Sequence, residues 1–109
     1  GHQIDDEVSV VGTPGHTPGH CSVMLGDRAG VITGDMVHHP LQFIDPTIWS
    51  KADSDAQQAI ATREAHFARW CEDRTVVLGT HFADPTALRL SPQGKGYRLT
   101  PARCFQGIC

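Results

Sequence analysis

The chain has 109 residues, a formal net charge of −3 with neutral histidines, and 39% hydrophobic residues. These bounds allow one small globular domain, argue against a basic nucleic-acid groove, and leave no run near the ~20 consecutive apolar residues of a membrane span. Four cysteines (Cys21, Cys71, Cys104, Cys109) fit neither a CxxC zinc pattern nor a dense disulfide framework, so they are read as reduced, partly buried thiols, with Cys104 and Cys109 open to reactivity or pairing in the tail.

In chain order, Glu7–Val11 predicts a strand that enters the string TPGHTPGH at Thr13–His20. Cys21–Leu25 and Val31–Thr33 predict a hairpin around the turn Gly26–Gly30, and the returning strand stops at Gly34-Asp35. Residues 36–52 read as an irregular loop with Pro40, Pro46 and scattered large apolar groups (Leu41, Phe43, Ile44, Ile48, Trp49), the kind of loop that is more often functional than idle. Asp53–Asp73 predicts the main helix, capped by Asp53 or Ser54, with Ala56, Ala59, Ile60, Arg63, Phe67, Trp70 and Cys71 as one mostly apolar stripe. Thr75–Leu78 predicts a strand ending at Gly79-Thr80-His81, and Gly94–Thr100 carries a turn and a last strand at Tyr97–Leu99.

This order is mixed α/β. One helix and about five short strands cannot cover both faces of a sheet, so half of a domain is expected to be absent. The start at Gly1 rather than Met fits a processed chain or an internal piece. His16, Asp35 and His81 each follow a glycine at a strand end (Gly15, Gly34, Gly79) and together supply N, O and N donors from three loops. A hydrolytic dinuclear site needs neutral imidazoles and a carboxylate able to bridge two cations. Each string is unspecific alone; their joint order is far more specific.

TPGHTPGH, ITGDMVHHP and VLGTHFADP resemble the third, fourth and fifth motifs of metallo-β-lactamase-fold hydrolases, over roughly residues 8–101. GDMVHHP, THFADPT and GKGYRL are more similar to the subgroup of N-acyl-homoserine-lactone lactonases and methyl-parathion-hydrolase-like enzymes than to true β-lactamases. The resemblance implies that His16 binds the first metal, Asp35 bridges both and His81 binds the second, with two divalent ions, zinc first among them. It implies that residues 1–109 are the C-terminal half of an αββα sandwich. The family's HxHxDH loop has no counterpart here, which leaves each metal short of ligands and predicts that this chain is an N-terminally truncated piece of its parent.

The implied activity is hydrolysis: a metal-activated hydroxide attacks an ester, lactone or related bond of a small-molecule substrate. Organophosphate, thioester and β-lactam substrates are the runners-up. His38, three residues after Asp35, is a candidate for stabilising an oxyanion or protonating a leaving group, and equally reads as an exposed loop histidine. His20 is expected to pack or hydrogen-bond beneath the loop, His39 to face outward, and His66 to face solvent or cap packing. Phe43, Ile48, Trp49 and Phe82 read either as walls of a substrate pocket or as core. The alternative to the enzyme is a non-catalytic half-domain that binds a partner chain through its sheet edge, or a single metal weakly. A dimer is a further partner expectation, and a cytoplasmic location the working default.

Overall fold

The computed structural model describes residues 2–83 and 85–102. Seven strands form one sheet, lying side by side in chain order: β1 (His2–Gln3), β2 (Val8–Gly12), β3 (Cys21–Leu25), β4 (Gly30–Ile32), β5 (Val76–Leu78), β6 (Ala87–Gln93) and β7 (Gly96–Pro101). All neighbours are antiparallel except β4 and β5. That pair is parallel because the long connection between them contains a short 3-10 turn (Gly34–Met36), the one-turn helix α1 (Leu41–Ile44) and the 18-residue helix α2 (Ala56–Asp73), which returns the chain to the start of the sheet. No helix among the described residues is long and apolar enough to cross a membrane.

The register separates two faces. Met24, Val31, Val77 and Leu88 lie beside one another across β3–β6, and with Leu90 they meet Phe43 of α1 and Phe67 and Trp70 of α2. The Phe43 and Phe67 rings sit 4.4 Å apart, and Phe82 meets Phe43 edge-on at 5.6 Å. The opposite face carries Val10, Val23, Ile32, Leu78 and Ala87, with Ile32 38% exposed near its centre. Both helices therefore cover one face, as expected for one sheet-and-helix layer of a larger sandwich.

The helix stripe forms as predicted: Ala59, Arg63, Phe67 and Trp70 are all buried at spacings of three or four. Its cap does not. Asp55, rather than Asp53 or Ser54, accepts from the Gln58 amide at 3.0 Å, because Asp53 and Ser54 are taken by the His16 loop. The helix closes on Arg74, left-handed at φ 56°, with the Thr75 amide donating back to Trp70. Sequence reasoning also missed β6, which Pro92 disguises. Pro92 lies past the residues that pair with β5 and faces Tyr97 of β7 alone. Phe43 and Phe82 are core, whereas Ile48 and Trp49 are exposed. Cys21 is exposed and Cys71 half-buried, both as free thiols; Cys104 and Cys109 lie outside the described residues.

His66 is half-buried on α2 and packs against Trp70 at 5.6 Å. Burial lowers its pKa from the ordinary histidine value, opposed by a hydrogen bond to the Gly12 backbone. A histidine whose folded pKa lies below its unfolded value stays neutral while the unfolded chain takes up the proton. Stability present above about pH 6.5 is therefore lost as pH falls below it. Melting temperatures between pH 7.5 and pH 5 are expected to decline on this account, and less steeply in His66→Gln; an identical pH slope in the variant would contradict the assignment.

Candidate metal centre

The three loops that carry the predicted ligands converge at one end of the sheet, between β2 and β3, after β4, and after β5. The first loop is clamped onto α2. The Thr62 hydroxyl donates to the Pro14 carbonyl at 2.7 Å, the Asp55 amide to Gly15 at 2.9 Å, and the Ser54 amide to His16 at 3.0 Å. Gly15 is required here: its φ is +139°, and an added Cβ would lie 2.3 Å from the Ala59 Cα. Gly34 is left-handed as well, and a Cβ there would meet His20 Nε2 at 2.9 Å. Gly79 serves differently from Gly15 and Gly34. It has no positive φ, and it makes room for the Phe82 ring.

His16 and His81 take opposite oxygens of the Asp35 carboxylate. His81 Nε2 lies 2.5 Å from Oδ1, and His16 Nε2 lies 3.5 Å from Oδ2. The Asp35 pKa is lowered, chiefly by the His81 hydrogen bond, with burial the largest opposing effect and the nearby imidazole charges of His16, His81 and His38 adding to the lowering. His16 Nδ1 faces Asp53 Oδ1 at 3.2 Å. A carboxylate can only accept, so Nδ1 carries a hydrogen toward Asp53, which leaves Nε2 as the ring nitrogen available to a metal. Zinc bonds of about 2.0–2.2 Å at tetrahedral angles would hold donors about 3.4 Å apart, which matches the 3.5 Å between His16 Nε2 and Asp35 Oδ2, whereas His81 and Asp35 are in direct hydrogen-bond contact and would have to part to admit an ion. On this donor chemistry the residues fit a divalent metal.

His38 joins both sides of the centre. Its ring stacks on His81 at 5.4 Å and tilts against His16 at 5.1 Å, and its Nδ1 is buried with no hydrogen-bond partner among the described residues. Desolvation lowers its pKa, with the neighbouring imidazoles adding to that and Asp53 and Asp35 opposing it. Donor atoms of Asp35, His38 and His81 lie within 4.8 Å of one another, as do those of His16, His38 and Asp53. Asp53 was missed as a site residue in the sequence reading; the only local signal was a third acidic or hydroxyl group at a helix start that needs one cap.

His20 lies beneath the centre, as expected. It accepts from the Asp35 amide through Nε2 at 2.9 Å, so its Nδ1–H donates to Thr13 Oγ1 at 2.8 Å. The buried Ser22 hydroxyl donates to the Thr33 carbonyl at 2.9 Å, which leaves the Thr13 hydroxyl to donate to Ser22 at 2.9 Å. The chain of hydrogen bonds therefore runs in one direction, from Asp35 to Thr33, and holds the backbone of Asp35. His39 is exposed, and its Nδ1 accepts from the Leu41 amide. A cleft of about 470 Å³ opens beside His81, lined by Pro40, Ala83, Pro85, Leu88 and Leu99.

The loop between Asp35 and Asp53 is tied down by Arg63, which is fully buried on α2. Its guanidinium donates to the carbonyls of Pro46 at 3.0 Å, Ile48 at 2.7 Å and Met36 at 3.3 Å. It also stands 4.0 Å from Asp53 Oδ2. Gln42 completes the tie, accepting from the His38 amide at 2.6 Å and donating to Ile48 at 2.9 Å.

No protein-family model and no curated protein matches the sequence. Solved structures do. The chain superposes on AidC, a dizinc quorum-quenching lactonase solved with a homoserine product, with a TM-score of 0.83 and 18% identity over 95% of this chain. It superposes on AbOPH, a hydrolase in the beta lactamase superfamily, with a TM-score of 0.78 and 32% identity over 93% of the chain. A probable metal-dependent hydrolase from Staphylococcus aureus gives 0.75 and 16% over 94%. The chain spans 36%, 37% and 38% of the lengths of these three proteins.

Replacing Arg63 with Leu removes the donor of three carbonyls and leaves the Asp53 carboxylate buried without its cation. Loss of one partner of such a buried pair costs about 3–5 kcal/mol. Urea unfolding of Arg63→Leu is expected to show a loss of that size, and a change under about 1 kcal/mol would contradict the clamp.

Proposed function

Since this chain carries the fold of the metallo-β-lactamase superfamily, we propose that it belongs to a metal-dependent hydrolase and contributes His16, Asp35 and His81 to a centre for two divalent cations, zinc foremost. The observation that carries this reading is the Asp35 carboxylate, which turns one oxygen to each histidine Nε2. When bound, such ions supply Lewis acidity toward a carbonyl or phosphoryl oxygen and acidify a water nucleophile.

In this reading the chain's own residues divide the remaining work. Asp35 would hold the ions through its two carboxylate oxygens, its backbone fixed by His20. His38 is kept neutral by burial among other imidazoles, so it can donate a hydrogen bond to a developing oxyanion or leaving-group oxygen. The apolar cleft beside His81 receives the apolar part of a small ester or lactone. Two of the similar structures bear on this class: AidC was solved with a homoserine product, and an N-acyl homoserine lactone hydrolase with N-hexanoyl-L-homoserine at its catalytic metal centre matches at a TM-score of 0.61 and 18% identity. Organophosphate, thioester and β-lactam substrates are secondary candidates on the same fold.

From these residues each ion gains one imidazole and a shared carboxylate, below the three protein ligands usual at catalytic zinc. We propose that the rest come from residues outside this chain, residues 1–109 being the C-terminal part of the domain. A second reading takes the same shortfall at face value: a non-catalytic chain that binds one metal weakly or a partner chain through the open face around Ile32. The two readings separate in one assay. The intact protein is expected to hold two zinc ions and open lactones or cleave esters, with both properties abolished by chelation. Asp35→Ala is expected to lose metal and to lower kcat/KM by at least about 10³-fold, on the order of 4 kcal/mol. Retained zinc and rate in that variant would contradict the assignment, and one weakly held ion with no hydrolysis would favour the second reading.

A further inference from the structure

The segment Asp53-Ser54-Asp55 opens α2 with two carboxylates where a helix start needs one. Asp55 caps the helix. The Asp53 side chain turns the other way, and at 1% exposure it is more deeply buried than a capping residue needs to be. Oδ1 meets His16 Nδ1 at 3.2 Å, while Oδ2 accepts from the Ser50 amide at 3.2 Å and faces Arg63 at 4.0 Å. Arg63 is not free to follow a moving carboxylate, because three backbone carbonyls already hold its guanidinium. The carboxylate is thus fixed in place, and its shortest contact to a side chain is to the imidazole rather than to the cation.

On the reading of the centre given above, we infer that Asp53 is the positioning residue for His16. It fixes the Nδ1–H tautomer and aims the Nε2 lone pair at the space beside Asp35 Oδ2. The backbone supports the same orientation, since the Ser54 and Asp55 amides grip the carbonyls of His16 and Gly15. One turn of chain therefore holds both the main chain and the ring of the ligand. A neutral imidazole left to itself exchanges between two tautomers, and only one leaves Nε2 bare. An anionic acceptor on Nδ1–H selects that tautomer and raises the basicity of the other nitrogen. Arg63 acts one step further out: the same buried cation that ties the 36–48 loop neutralises the carboxylate that orients His16. Asp53 is not assigned as a ligand, because both of its oxygens are already occupied by protein donors.

The test uses the intact protein and two variants. Asp53→Asn keeps an acceptor toward Nδ1–H; Asp53→Ala removes it. Imidazole nitrogen NMR of the metal-free protein at neutral pH reads the tautomer without any need for activity, and zinc competition titration reads affinity. His16 is expected to be Nδ1–H in the wild type and in Asp53→Asn. In Asp53→Ala it is expected to move toward Nε2–H, with zinc affinity down about 10–100-fold and largely restored in Asp53→Asn. If Asp53→Ala does not fold, the wild-type tautomer still decides the matter: Nδ1–H supports the inference and any other state overturns it. A wild-type His16 that is Nε2–H or doubly protonated overturns the inference. So does complete loss of zinc from Asp53→Asn, which would make Asp53 a ligand. Unchanged tautomer and affinity in both variants would overturn it as well. Failure of the underlying reading looks different: wild-type protein with the expected tautomer that takes up no zinc at all removes the metal, and with it the role proposed for Asp53.

Discussion

A guanidinium with no access to water must find acceptors inside the protein, and much of this layer's architecture follows from how Arg63 does so. Leaving such a cation unpaired would cost several kcal/mol. Arg63 meets that demand by collecting carbonyls from Met36, Pro46 and Ile48, residues of a segment with little regular structure of its own. The loop is shaped around the cation rather than by its own backbone ladder. Because that loop begins at Asp35 and ends at Asp53, its anchoring fixes the spacing between the Asp35 carboxylate and the residue that meets His16.

Helix α2 is consequently more than a cover for the sheet. Its apolar side, Phe67 and Trp70, packs on the strands, and its start holds the His16 loop through Ala59, Thr62 and the amides of Ser54 and Asp55. The arrangement under Asp35 has the same logic. A buried polar group must be satisfied, and a one-way chain through His20, Thr13 and Ser22 satisfies each member while holding the Asp35 amide. Loops at strand ends are mobile by default; here neighbouring polar groups that cannot be left unpaired hold the His16 and Asp35 loops in place.

Some of this was legible in the sequence because it is local. The TPGHTPGH, TGD and GTH strings mark turns by their glycines and donors by their histidines and aspartate, and the stripe Ala59, Arg63, Phe67, Trp70 marks the helix by its period. What was not legible depends on distant partners. Asp53, Ser54 and Asp55 all have capping chemistry, and the choice among them is made by His16, 37 positions away from Asp53. Arg63 reads as the polar exception in an apolar stripe, and nothing local distinguishes a buried guanidinium from one at the helix margin. Strand β6 was hidden by Pro92, which is tolerated because β5 has already ended there. Phe43 and Phe82 are core rather than pocket walls, a distinction that composition cannot make.

The most direct test of the account is anomalous diffraction at the zinc edge from crystals of the intact, zinc-loaded protein. The account expects two peaks flanking the Asp35 carboxylate, one bonded to His16 Nε2 and the other to His81 Nε2, with Asp53 hydrogen-bonded to His16 and not to metal. Zinc bound away from these three residues, or none at all, would contradict it.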